Sequence, residues 1–338
     1  MLGASAKVDA PFLYVERYFN TKHRKVAPPQ IAKKNRANIN EYGLSNVSSC
    51  NGVQTGAIMQ KCAALMVDIR DSRKMPEERR QDVQDVIAAS VAYLNALFQR
   101  DLLCEVVFSA GDEVQGLFSN AAAAYLYYRA LSLLVLQADL RGGVGCGTWD
   151  VRVEGALSTA QDGTAYHHAR DAISYAKKKS RLYNFAISSG DPSSLYTVMA
   201  NYPFSLSRRR TMRQAKLARE VELRFPIALH VDDDARDRAH ARLLELLAVI
   251  ERVEERAEPF DADAYLQQAV SVADLDEAGV LALPSQLSGL SYRMEEGAGR
   301  TRQSIDRLLD GAMVNQERVA AAAVALSLLE EEAGGNRG

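Results

Sequence analysis

An α+β fold followed by a helical C-terminal region is predicted by three features of this sequence. Between residues 60 and 190, short apolar runs of strand character alternate with longer stretches in which apolar residues recur at helical spacing. Beyond residue 230 the strand signals fade and only helical periodicity remains. Charge divides the chain in the same places: residues 1–37 carry 8 basic and 2 acidic side chains, whereas residues 231–338 carry 11 basic and 22 acidic ones. At 338 residues, 47% hydrophobic and 25% charged, the chain is long enough for two cores or more. The expected organisation is a basic N-terminal arm over 1–57, a mixed domain over 58–225 and an all-α region over 226–338.

The elements of the mixed domain follow in order. "CAALMVDI" (62–69) is a continuous apolar run closing on a carboxylate, which suits a buried central strand. Pro76 at a helix start, Glu77 and Glu78 in the positive first turn, and Val83, Ile87, Val91, Leu94 and Phe98 at helical spacing predict the first helix. "LLCEVVFS" and "VQGLFS" read as two strands of a hairpin around Gly111, Asp112 and Glu113. Residues 121–138 have the composition of a largely buried second helix, and "LRGGVGCGT" (140–148) is a glycine-rich strand. Glycine weakens a strand unless a backbone or ligand must come close. A third helix begins near Gly163, and "NFAISS" (184–189) is a further strand. This order predicts a ferredoxin-like sandwich with its helices on one sheet face.

In such a sandwich the first strand lies beside the hairpin, so Asp68 and Asp112 converge. Two carboxylates brought together repel unless one is protonated or a cation lies between them. With the carbonyl of Ile69 the donors are all hard oxygens, which favours Mg²⁺ or Mn²⁺ over zinc. The competing reading is structural: Gly and Asp are ordinary turn formers.

"ALMVDIRDSRK", "GDEVQGLF", "LRGGVGCGTWD" and "DGTAYHHARDAI" together resemble the SatD family. More distantly, they resemble the palm domain of class III nucleotidyl cyclases and GGDEF cyclases. The resemblance spans roughly residues 60–190. It implies a metal-dependent nucleotide cyclase or nucleotidyltransferase acting on a nucleoside triphosphate, with pyrophosphate as leaving group. It places Asp68, Ile69, Asp112 and Glu113 at the metal, Gly111, Arg73 and Gly145 at the nucleotide, and Arg170 and His167 at the catalytic positions of the third helix. The cyclase pattern has an Asn where His167 stands and an Arg four residues on rather than three, so a non-catalytic, nucleotide-sensing regulator is the alternative. His167 and His168 also read as ordinary surface histidines. A site of His167, His168 and Asp171 is disfavoured because adjacent helical residues point about 100° apart.

The remaining signals exclude more than they assign. No apolar run reaches the roughly 18–20 residues of a membrane span, and the first residues lack the apolar stretch of a signal peptide, so a cytoplasmic chain is expected. Cys50, Cys62, Cys104 and Cys146 show no CxxC or zinc-ligand spacing, and three of them sit in apolar runs as small hydrophobes. The basic stretches "YFNTKHRKVAPPQIAKKNR" and "SRRRTMRQAKLAR" read as solvated faces or linkers. "HARLLELLAVIERVEERAE" (240–258) is an amphipathic helix that packs internally or in a homodimer. Residues 300–326 have the outline of two helices about Gly311, as in a helix-turn-helix. The acidic balance of that third argues for a packing pair and against DNA binding.

Overall fold

The computed structural model describes residues 61–179, 183–256, 268–287 and 301–335, together with 260, 265–266 and 289–292. They belong to one compact unit, Gly56–Gly338. The basic N-terminal arm and Cys50 lie outside the described residues.

Five strands form one mixed sheet: β1 (Lys61–Ile69), β2 (Leu102–Ala110), β3 (Glu113–Phe118), β4 (Leu140–Thr148) and β5 (Phe185–Ser188). Their spatial order is β2-β3-β1-β4-β5. β1 is central and antiparallel to both β3 and β4, while β4 pairs with β5 in parallel. α1 (Glu77–Leu97) connects β1 to β2, α2 (Ala121–Leu134) connects β3 to β4, and α3 (Thr164–Lys178) connects β4 to β5. Pro76 holds the N-cap of α1, one residue ahead of the first turn.

Side-chain alternation along β1 sorts the helices between two sheet faces. Ala63, Leu65 and Val67 point into the core shared with α1 and α2. Cys62, Ala64 and Met66 point the other way, onto Ala165, Ala169 and Ile173 of α3. The expectation of helices on one face is therefore corrected: α3 covers the opposite face. Its close approach explains the glycine-rich strand. A Cβ at Gly143 or Gly145 would collide with the α3 backbone at Ala169, Ile173 and Ala165. A Cβ at Gly142 would instead meet Tyr128 of α2.

The rest of the chain builds outward from α2. α4 (Leu195–Ser207), α5 (Met212–Arg224), α6 (Asp233–Val253), α7 (Glu277–Ala282), α8 (Arg302–Gly311) and α9 (Val314–Gly335) follow, with the two-residue parallel strands β6 (Ile227–Ala228) and β7 (Val270–Ser271) between them. α6 packs on α1, and α9 packs on α2 and α4. Every residue of α2 except Ser132 is consequently buried. That double coverage is why its sequence is apolar all round rather than striped. Charge seals the seam. Arg129 of α2 binds both carboxylate oxygens of Glu317, at 2.7 and 2.8 Å, and reaches Glu222 at 2.9 Å. Arg318 closes the network onto Glu222 at 3.0 Å. The α8–α9 pair expected around Gly311 is present, but the left-handed residue of its turn is Met313, with φ 52°.

Candidate functional site

The C-terminal end of β1 and the β2–β3 turn meet at one edge of the sheet. Gly111 (φ 60°) and Asp112 form a two-residue turn between the paired residues Ala110 and Glu113. Positive φ at the first central position is the reason for glycine there. Gln84 of α1 donates to the Gly111 carbonyl at 3.1 Å and ties the turn to the helix. Gly111 alone satisfies the turn geometry. Among the described residues the Asp112 carboxylate has no hydrogen-bond or ion-pair partner, so it performs no local capping.

Asp68 and Asp112 both border a narrow crevice on the α1–α2 side of the sheet, whose other walls are apolar residues of β1, α1, α2, β3 and β4. In register, Asp68 stands between Glu113 on β3 and Arg141 on β4. Alternation turns these three side chains to the α3 face, away from the apolar walls of that crevice, and cross-strand neighbours there lie about 5 Å apart at Cβ. Ser109 donates to Glu113 Oε1 at 3.1 Å. Asp68 itself is only 8% exposed. Its Oδ2 receives the Lys177 ammonium at 2.7 Å, and Arg141 Nη1 lies 3.4 and 3.5 Å from its two oxygens. Ile69 closes β1 opposite Leu140.

The loop after β1 adds cations. Arg73 is exposed in a short 3₁₀ turn, Ser72–Lys74, beside Lys74. Asp71, left-handed at φ 57°, is held below the usual carboxylate range by its hydrogen bond from Lys74.

The other expected residues lie further off. α3 runs along β4 with its start beside Gly147 and Ile173 beside Gly143. At about 3.3 Å per strand residue, this puts His167 and Arg170 on the order of 10 Å or more along the sheet from Asp68. His167 is exposed and lies 3.7 Å from Asp162. His168 Nδ1 is 2.7 Å from the Cys146 carbonyl. Arg170 is exposed and makes no ion pair with Asp68, Asp112 or Glu113. Lys177, two turns beyond Arg170, is the α3 cation that reaches Asp68. Gly145 lies under α3, where packing accounts for it. Sequence reading missed Lys177 and Arg141. Their signals were a lysine two turns beyond Arg170 and a lone arginine in a glycine strand facing the end of β1.

Among the described residues no group of three or more His, Cys, Asp or Glu side chains forms a metal cage. Among the described cysteines burial disfavours the thiolate: it pushes the Cys62 thiol up to about 11 and that of Cys146 to about 12, and raises that of Cys104. Also among the described residues, no helix is long and apolar enough to cross a membrane.

Residues 62–195 match the SatD family. The matched segment runs from β1 to the start of α4 and contains every residue of the site described above. It stops short of the helices that cover α2. No curated protein matches the chain significantly.

Proposed function

We propose that the edge formed by Asp68, Asp112 and Glu113 binds a nucleoside triphosphate with Mg²⁺ or Mn²⁺, and that the chain acts as a nucleotide cyclase or nucleotidyltransferase. The strand order β2-β3-β1-β4, with the two helices α1 and α2 on one face, is compatible with a ferredoxin-like sheet. With a carboxylate closing β1 and another in the neighbouring turn, it supports the likeness to a cyclase palm. The observation that carries the reading is Asp112, a carboxylate with no hydrogen-bond or ion-pair partner among the described residues, in the turn adjoining Glu113, the strand neighbour of Asp68.

The donor set fits the cation. Magnesium is usually held by one or two carboxylates plus phosphate oxygens, so a complete protein cage is not required. Asp68 and Asp112 supply the carboxylates, with Glu113 and the Ile69 carbonyl alongside. Once bound, the cation would supply charge neutralisation at the transferring phosphoryl group and a lowered pKa for an attacking hydroxyl. Arg141, Lys177 and the exposed Arg73 supply positive charge for the phosphates.

A second reading, nucleotide sensing without turnover, is favoured by one specific observation. The α3 residues expected at the catalytic positions, His167 and Arg170, lie away from the carboxylates. Incubation with each nucleoside triphosphate and Mn²⁺ separates the two. Pyrophosphate and a new nucleotide support the enzyme, and saturable binding without pyrophosphate supports the sensor. A protein that binds no triphosphate with either ion overturns both.

A further inference from the structure

Asp68 already has a cation. The Lys177 ammonium sits 2.7 Å from Oδ2, the oxygen a divalent ion would have to share, whereas Arg141 stands off at 3.4 and 3.5 Å. The two cations are held differently. The Lys177 side chain is 47% exposed, while that of Arg141 is 14% exposed. Lysine is a compact charge on a flexible stem with three rotatable donors, so it can exchange partners without rebuilding its surroundings. Lys177 also lies in the last turn of α3, where the helix end favours positive charge in more than one rotamer.

We infer that Lys177 is a tethered counter-ion at the metal position. It holds Asp68 when no ligand is bound, opposes a divalent cation arriving alone, and transfers to the phosphates when cation and triphosphate arrive together. This rests on the triphosphate reading above and adds its regulation. Charge makes the exchange sequential. A free divalent ion must displace the ammonium into water while keeping it nearby as a like charge. A triphosphate offers the ammonium a better partner than Asp68 and thereby frees the carboxylate. Metal and nucleotide therefore bind with positive coupling through one side chain, and the site does not fill with cellular magnesium alone.

The test measures Mn²⁺ alone, by electron paramagnetic resonance of the free ion, and Mn²⁺ with a non-hydrolysable triphosphate, by calorimetry. Both are applied to the full chain and to Lys177→Gln. Because Lys177 is half-exposed, the variant folds, and its thermal unfolding checks this. Lys177→Gln should bind Mn²⁺ alone roughly tenfold more tightly, the scale of removing a unit charge about 4–6 Å from a divalent ion in a screened site. It should bind Mn²⁺ with triphosphate more weakly than wild type, and Lys177→Arg should restore most of that affinity. Unchanged or weaker binding of Mn²⁺ alone by Lys177→Gln, with wild type still binding Mn²⁺ and triphosphate, overturns the counter-ion role and leaves the nucleotide reading standing. Absence of Mn²⁺ binding in both proteins, with no triphosphate bound by wild type, overturns both.

Discussion

Asp68 and Asp112 are carboxylates of adjoining elements, β1 and the β2–β3 turn, but their surroundings differ, and so do the consequences of altering them. Asp112 has no partner among the described residues. Asp112→Asn should leave the melting temperature unchanged or slightly raised, while Mg²⁺-dependent affinity for a non-hydrolysable triphosphate falls at least roughly tenfold by calorimetry. Equal affinity in the variant would return the residue to a plain turn position. Asp68→Asn should lose affinity and also some stability, because Lys177 and the mostly buried Arg141 lose their shared anion. The glycines divide in the same way. Gly145→Ala drives a methyl into the backbone of α3 and should destabilise by about 1–3 kcal/mol or more in urea titration. Gly111→Ala meets open space and pays only for its φ of 60°, about 1–2 kcal/mol. The first substitution should therefore be the more damaging to folding, and a reversed order would mean that α3 can move off β4.

At the level of elements, the strand and helix order of residues 61–188 was legible because each run is long, apolar and punctuated by Gly, Pro or acidic residues. What periodicity could not convey was which face each helix takes. Of the β4 glycines Gly142 faces α2 and Gly143, Gly145 and Gly147 face α3, and glycine carries no hydrophobic side chain to say so. The site was legible to the extent that it lies within β1 and the adjacent turn, where strand order alone joins distant carboxylates. Its cations were not, because Arg141 and Lys177 reach Asp68 only through the register of β4 and the length of α3. Similarly, nothing local in "AYLYYRALSLL" says that Arg129 will be buried. Its partners Glu222 and Glu317 come from α5 and α9, 93 and 188 residues away. Removing one member of such a buried network costs about 3–5 kcal/mol, whereas apolar replacement of the whole set is often tolerated. Glu317→Gln should thus lower the urea midpoint sharply. Arg129→Met with Glu222→Leu, Glu317→Met and Arg318→Met together should recover part of the loss.

On the scale of the molecule, the acidic C-terminal third is a covering for α2 rather than a free module. Glu317 and Arg318, at the start of α9, are each only 2% exposed and bind inward, so the expected helix pair has its polar residues committed to the protein. We expect no salt-sensitive binding of duplex DNA by the full chain in fluorescence anisotropy, and a clear salt slope would overturn that. The same inward charge ties stability to acidity. Burial alone would push the Glu317 carboxyl upward, but the Arg129 guanidinium reverses this and holds it below the usual range. Glu254, partly buried, is likewise held low by Arg219 and Lys216. Asp101 goes the other way: burial raises it, only partly offset by His230 at 2.6 Å. A carboxylate depressed in the folded state contributes stability above its unfolded value and loses it as pH falls through the folded one. A raised carboxylate contributes the opposite slope. Two depressed groups, joining α9 to α2 and α6 to α5, oppose two raised by burial, Asp101 at the α1–β2 corner and Glu332 in α9, and the fully buried, arginine-paired Glu317 dominates the balance. Urea midpoints should therefore be nearly flat from neutrality down to the ordinary glutamate value, about 4.3, and fall steadily below it. Glu317→Gln should start lower and show a shallower acid slope. A wild-type midpoint that holds or rises below that pH would mean that the raised carboxyls of Asp101 and Glu332, and not the buried arginine network, set the acid response of the fold.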